Sequence, residues 1–449
     1  MNISTILAIC IGGLLAGYAF FMCSVRLIAI LQQQGYSGRA FLKWYYRSRN
    51  IERKKASLLA LAVALLTALF CVCFSFAGYR IANLICVLPF AGICILYCAA
   101  EQRHALKVPL KNTMRAVRLG VAYAVLLCAA DIGLGFALAA IADAAATDWV
   151  YLLRFVPFCL VPLACPLLLV FVNLCMKAYE VPHTNKFVRR AAAALAASSC
   201  VKVGITGSFG KTSVKNFAAV MLSEKYRVLA TPASYNTPVG IAKAVNEGGL
   251  DCDVFLAEMG ARRKGDIAAL CDLVRPTAGV VTGVTCQHVQ TFGSLDAIRA
   301  EKGELARRVP ACVLGRSAAD MGGGKSLVMG RDFDAEDVQL SLDGTRFTLR
   351  LPDGRFPVEI PVLGRHAAED AALAAALCHT LGMTAEEIAA GIRRVAPVPH
   401  RLERKDANGL IILDDGYNCN PEGAKNAVEV LRLADGRKAV VTPGIVELG

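Results

Sequence analysis

The chain has 449 residues, 55% of them hydrophobic, and carries a net charge of +13; its mean hydropathy is +0.48. That apolar content excludes an ordinary water-soluble enzyme and predicts membrane segments. Residues 1–199 hold 19 Lys/Arg against 6 Asp/Glu, whereas residues 200–449 hold 30 of each. The basic excess therefore speaks for membrane orientation and against a nucleic-acid partner.

Five stretches are long and apolar enough to cross a bilayer, which takes about 20 residues. They are Ile3–Val25, Ala56–Gly78, Ile81–Ala99, Leu119–Ala142 and Phe155–Cys175. Met1 to Thr5 carries no basic residue, so the first does not read as a cleaved signal. Arg39, Lys43, Arg47, Arg49, Arg53, Lys54 and Lys55 follow the first span, and Arg103, Lys107, Lys111 and Arg115 follow the third. The positive-inside rule then puts the N-terminus outside and everything after Cys175 in the cytoplasm, a multi-pass protein of the cell membrane. Asp131 lies mid-span, either as a functional group or as a buried hydrogen-bond partner. The Trp44-Tyr45-Tyr46 cluster reads as an interfacial anchor. The 18 cysteines sit mostly in apolar runs without zinc spacing and read as small buried residues.

A basic and then alanine-rich connector (177–199) separates the membrane region (1–176) from the soluble part of the chain. Residues Cys200 to Met221 read CVKVGITGSFGKTSVKNFAAVM: a β-branched strand, a glycine loop and the start of a helix. Such a loop, Gly207, Ser208, Phe209, Gly210, Lys211, Thr212 and Ser213, aims backbone N–H groups and a helix N-terminus at one point, where a polyphosphate can sit. Lys211 would reach the β- and γ-phosphates and Thr212 would hold Mg²⁺. Strict nucleotide-loop spacing wants glycine at position 205, which is Ile205; an ordinary glycine-rich turn is the plainer alternative. Glu258 ends a predicted strand, Val254–Ala257, as a metal ligand or a turn former. His288 follows another, Gly279–Val284, as a structural residue or a metal or phosphate ligand. Lys302, in E-K-G-E-L, reads on spacing as a helix-surface lysine.

Alternating strands and helices from Val201 to about Pro310 predict a parallel α/β sheet. Turns at Asp343-Gly344 and Asp353-Gly354 predict a small antiparallel meander over Val338–Ile360. Helices Ala367–Leu381 and Ala385–Arg394 complete a central domain (200–396). A final part (397–449) is predicted to hold strand Leu410–Leu413, helix Pro421–Leu433 and strand Lys438–Thr442. Those three cannot bury a core alone, so the sequence is expected to be a fragment or to lean on the central domain.

T-G-S-x-G-K-T-S at Thr206 to Ser213 resembles the nucleotide loop of the Mur ligase family, ATP-dependent amide-bond-forming enzymes of cell-wall synthesis. Further motifs in the family's order are Ser234-Tyr235-Asn236-Thr237-Pro238, K-G-E at Lys302, Gly364-Arg365-His366, Pro399-His400-Arg401-Leu402-Glu403 and Asp414-Asp415-Gly416-Tyr417-Asn418-Cys419-Asn420-Pro421. The K-G-E form is closest to the branch that adds D-alanyl-D-alanine. The resemblance implies a P-loop parallel-sheet ATPase domain with an antiparallel meander and the start of a Rossmann-like C-terminal domain, here behind five membrane helices. It implies ATP and two Mg²⁺ ions, one on Thr212 and Glu258, the other on His288 and a carbamylated Lys302. Arg401 and Asp415 would bring the C-terminal part onto the nucleotide, and Asn236 would contact substrate or phosphate. Two family asparagines are replaced, by Ala367 and by Asp370 at the position that reads the adenine edge.

The implied chemistry is attack of a substrate carboxylate on ATP, giving an acyl phosphate that an amine displaces. Lys211, Glu258, His288 and Lys302 would carry it. The implied partners are a peptidoglycan precursor, soluble or lipid-linked, an amino acid or dipeptide such as D-Ala-D-Ala, membrane lipid and membrane cell-wall enzymes. The region of residues 1–199 lies outside the resemblance. Two rival classes remain open: a P-loop transporter and a non-catalytic membrane scaffold.

Overall fold

The computed structural model describes residues 3–47, 52–66, 69, 89, 92–99, 109–145, 155–285, 289–323, 325–407, 409–416, 421–442 and 444. They divide into two compact units, Met1–Pro182 and His183–Gly449.

The first unit holds helices α1 (Ile3–Gln33), α2 (Gly38–Tyr45) and α3 (Met114–Ala145), and the apolar part of α4 (Phe155–Ala197). Glycines set the spacing of α1 and α3. A β-carbon on Gly13 would lie 2.5 Å from Ile132 Cγ1, and one on Gly17 would lie 2.6 Å from the Cys128 Cα. Small residues four apart let two backbones touch, which is how helices pack where lipid removes the hydrophobic drive. Polar side chains tie its segments together: Gln32 and Lys111 exchange two hydrogen bonds of 2.8 and 2.9 Å, and the buried Tyr123 Oη donates to the Cys165 carbonyl at 3.1 Å. Large apolar side chains point outward instead, among them Leu14 and Leu15 on α1, Val121 and Val125 on α3, and Leu167 and Phe171 on α4.

Among the described residues, Ile9–Gln33, Met114–Ile141 and Leu163–Ala197 have the length and composition of membrane spans. The expected spans Ala56–Gly78 and Ile81–Ala99 are described only in part, at residues 56–66, 69, 89 and 92–99. Tyr45, expected at an interface, is instead buried in the unit's core and stacks on Phe41. The amphipathic α2 turns that face inward.

The second unit is mixed α/β. Its sheet has six parallel strands, β1 (Val201–Thr206), β2 (Val228–Ala230), β3 (Val254–Glu258), β4 (Ala278–Val281), β5 (Ala311–Leu314) and β6 (Lys325–Val328), in the order β2-β3-β1-β4-β5-β6. Strands β1, β3 and β4 are buried on both faces, which explains their continuous apolar runs. The order reverses at β1, so the crevice at its carboxyl end is where such sheets bind ligands.

One face packs against α5 (Lys211–Leu222), α10 (Arg365–Thr380), α11 (Ala385–Ile392) and the antiparallel strands β7 (Asp334–Leu340), β8 (Thr345–Leu351) and β9 (Gly354–Ile360). The other is covered by α6 (Pro238–Gly248), α7 (Asp266–Val274), α9 (Leu295–Arg308) and the end of α4; the one-turn helix α8 (Val289–Phe292) precedes α9. Seven of the eleven buried residues of α10 are alanines, Ala367, Ala368, Ala371, Ala372, Ala374, Ala375 and Ala376, with Leu373, Leu377 and Cys378 among the others, and the helix packs on α5.

The last part departs from the expected strand–helix–strand start of a Rossmann-like domain. β10 (Glu403–Ala407) pairs antiparallel with β11 (Leu410–Asp414), and helix α12 (Pro421–Arg432) follows. Lys438–Thr442 is not a strand. It has the apolar pattern of one, yet no described strand pairs with it, and Val441 is 99% exposed.

Helix α11 reaches α5 through Gly391, where a β-carbon would lie 2.6 Å from the Met221 Cα. Gly391→Ala is expected to destabilise the second unit by about 1–3 kcal/mol through overpacking. The thermal unfolding midpoint measures this, and an unchanged midpoint would refute the contact.

Candidate functional site

Four strand ends meet along the carboxyl edge of the sheet, and each supplies one piece of the site. After β1 the chain turns at Gly207 and Gly210. Both need glycine: Gly207 (φ 149°) would place a β-carbon 2.0 Å from Thr282 Oγ1, and Gly210 (φ 73°) would place one 2.4 Å from Asp370 Oδ1. The turn is tied down from the β4 side. Ser208 N donates to the Gly283 carbonyl at 2.8 Å, Thr285 N donates to Ser208 Oγ at 3.2 Å, and Thr282 Oγ1 donates to the Phe209 carbonyl. The Phe209 ring packs on Gly283.

Lys211 opens α5 and folds back over its own loop, donating to the Gly207 carbonyl at 2.7 Å. Burial holds its ammonium below the ordinary lysine range, and Arg401 adds to this while Glu258 and Asp370 oppose it.

Glu258, the last residue of β3, is buried to 1% exposure. Thr212 Oγ1 donates to its Oε2 at 3.0 Å, and Asn236 Nδ2 donates to its Oε1 at 3.1 Å. Its backbone N–H donates to Thr231 Oγ1 at 3.1 Å. Thr212 and Glu258, expected to share one metal, thus lie together, and Asn236, expected at substrate or phosphate, joins them. A fourth partner was missed from sequence: Lys215 Nζ, 3.2 Å from Glu258 Oε2. It lies one helical turn beyond Lys211, and that i, i+4 spacing was the available signal. The anionic oxygens of Glu258 with the Thr212 hydroxyl form a hard-donor set that suits a small divalent cation such as Mg²⁺.

Lys302 is buried on α9, not on the surface that its spacing suggested. Burial first, and then the charge of Lys211, push its ammonium down to about 7. A buried amine near 7 is partly neutral at neutral pH, as reaction with carbon dioxide requires. The neighbouring Glu301 is also buried and caps α7, accepting from Gly265 N and Ile267 N at 2.8 Å each. His288 lies outside the described residues.

Beside the loop is a cavity of about 370 Å³ that brings together Phe209, Gly210, Ser213, Asp370, Arg401 and Asp415. Asp370 is buried against Gly210 and hydrogen-bonded to the Ser213 side chain. Burial holds its carboxyl well above the usual range, and Glu369 adds to the effect. Asp415 Oδ1 accepts from Leu402 N at 3.2 Å, and burial raises its carboxyl as well. Arg316, Glu369 and Glu422 also line this cavity and were missed from sequence. Away from it, His400, Glu403 and Asp414 cluster with metal-like spacing. Lys405 already pairs with both carboxylates of that cluster, 2.5 Å from Asp414 and 3.2 Å from Glu403.

His366 also lines the cavity, and burial holds its imidazole down at about 4. Its Nδ1 has no hydrogen-bond partner among the described residues. The folded value lies below the unfolded one, near 6.5, so the neutral ring is the folded form. Its stabilising contribution is whole above 6.5 and is lost as pH falls towards 4, on the order of 3 kcal/mol in all. Between pH 7 and 5 the thermal midpoint of the wild type should fall further than that of His366→Gln. Equal falls would refute this.

Residues 205–378 match the sequence model described as "Mur ligase middle domain". The UDP-N-acetylmuramoyl-tripeptide–D-alanyl-D-alanine ligase of Escherichia coli (strain K12) is 33% identical over 263 residues, covering 55% of this chain and 58% of that protein. The Mycobacterium tuberculosis (strain H37Rv) protein of the same name is 34% identical over 263 residues, covering 55% and 51%. The chain therefore spans little more than half the length of these relatives. In fold, 59% of the chain is like MurF of Acinetobacter baumannii (TM-score 0.56, 24% identity, 62% of that chain covered). The chain is also like MurF ligase of Thermotoga maritima, solved with ADP (TM-score 0.53, 24% identity, 59% of this chain and 65% of that one).

Proposed function

We propose that this chain is a membrane-anchored Mur-type ligase of the D-alanyl-D-alanine-adding kind, which joins a peptidoglycan-precursor carboxylate to an amino acid or dipeptide at the expense of ATP. The observation that carries the reading is the convergence of Lys211, Thr212 and Glu258 at the carboxyl ends of β1 and β3, beside a cavity of nucleotide size. The names of the relatives and the ADP complex of the Thermotoga maritima protein support it.

In this reading the triphosphate lies along the loop from Gly207 to Thr212, where main-chain N–H groups and the α5 N-terminus face its oxygens. Lys211 leaves the Gly207 carbonyl for the β- and γ-phosphates. The base and ribose occupy the cavity by Phe209 and Asp370, with Arg401 and Asp415 closing it from the last part of the chain. The acceptor carboxylate attacks the γ-phosphorus, the bond to the β-phosphate oxygen breaks, and ADP leaves. The amine then attacks the acyl carbon, loses a proton and expels inorganic phosphate, leaving the amide. Positioning and charge neutralisation carry most of the rate.

Thr212 and Glu258 would hold one Mg²⁺. A second would use carbamylated Lys302, with His288 as the further ligand from the family resemblance. Bound Mg²⁺ supplies charge neutralisation at the phosphoryl oxygens. The depressed ammonium of Lys302 suits carbamylation.

Lys211→Ala is expected to abolish amine-dependent ADP release while the protein stays folded, a loss of at least about 100-fold. Unchanged ADP release would refute the phosphate role. The outward apolar faces of α1, α3 and α4 further support an acceptor presented at the bilayer. Lipid-linked muramoyl peptide should then be used with a higher kcat/KM than the soluble UDP-linked form, and a strong preference for the soluble form would count against this.

A further inference from the structure

The ammonium of Lys215 is buried against the carboxylate assigned above to the metal. Its Nζ lies 3.2 Å from Glu258 Oε2, and both side chains are 1% exposed. It also donates to the carbonyl of Ala233, a residue held at φ 43° in the left-handed region that a β-carbon opposes. The loop before α6 therefore keeps a strained turn whose carbonyl is bonded to this lysine. Thr212 shares the same carboxylate oxygen, and Asn236 takes the other.

A buried carboxylate without a counter-charge is costly, and the ammonium removes that cost before any cation arrives. The same positive charge opposes a divalent cation approaching Oε2, and in a water-poor site that repulsion is strong. The triphosphate brings more than enough negative charge to outweigh it.

We propose that Lys215 is a resident counter-ion, a positioning residue that aligns Glu258 in the metal-free protein and keeps divalent cations weakly bound until the triphosphate enters. This rests on Glu258 being a metal ligand. Lys215 acts through that carboxylate.

The probe is Mn²⁺, titrated against the full chain in detergent without nucleotide and followed by electron paramagnetic resonance. Lys215→Gln keeps an amide for hydrogen bonding and loses the charge. It should bind Mn²⁺ at least tenfold more tightly than the wild type, and Lys215→Met should shift the same way. Lys215→Arg, which restores the charge, should stay close to the wild type. Equal Mn²⁺ affinity in the wild type and the Gln variant overturns the proposal, as does an Arg variant that tightens like Gln. If the neutral variants unfold without metal, their thermal midpoints in millimolar Mn²⁺ take the place of the titration. The proposal then requires a larger Mn²⁺-induced rise than in the wild type, and no larger rise overturns it. Glu258→Gln separates the two levels: if it leaves Mn²⁺ binding with ATP untouched, the metal reading itself falls. If it abolishes that binding while Lys215→Gln changes nothing, the counter-ion role alone falls.

Discussion

A carboxylate shut away from water at the tip of β3 constrains everything around it. Glu258 has no solvent to share its charge, so protein groups must do so, and they come from two separate segments. Thr212 and Lys215 arrive from the first two turns of α5, and Asn236 from the loop before α6. Thr212 and Lys215 reach the carboxylate through the register of β1 on β3, with Ile205 beside Glu258, and Asn236 through the pairing of β2 with β3. The parallel sheet thus aligns strand tips so that one acidic group can be satisfied, and the same alignment assembles a phosphate-sized cradle next to it.

The cradle is shaped as much by what is missing as by what is present. Gly207 leaves room for Thr282 and Gly210 leaves room for Asp370, so loops after β1 and β4 and helix α10 close around each other with no β-carbon between them. Burial then tilts the local chemistry. Lys302 loses basicity under the influence of Lys211, and Asp370 loses acidity beside Glu369. Perturbed ionisation gathered at one sheet edge is a common mark of a working site.

The features legible in the sequence were local ones. A strand, a glycine turn and a helix within about twenty residues announce the loop at Lys211, and Asp-Gly turns announce the meander. Glu258 could be placed at a strand tip because its strand is a plain apolar run. What escaped depended on distant partners. Lys215 in K-T-S-V-K reads as any helix lysine until Glu258 is brought beside it. β10, Glu-Arg-Lys-Asp-Ala, has no hydrophobic period at all; it is a strand because β11 lies opposite, with Lys405 against Asp414. Lys438–Thr442 shows the reverse case, a good strand pattern with no described neighbour to pair with. β-structure is a property of pairs, and one segment cannot reveal its mate.

Seven of the eleven buried residues of α10, the helix packed on α5, are alanines. Methyl groups have no rotamers with which to absorb a shift, and close-packed interiors pass displacement on. Asp370 hangs from the same helix and rests on Gly210. A small change of volume deep in that helix would therefore move the loop at Gly210 as a rigid lever moves its far end. Ala371 and Ala375, both buried in the helix that carries Asp370, would thereby be coupled to the shape of that loop without lying in it.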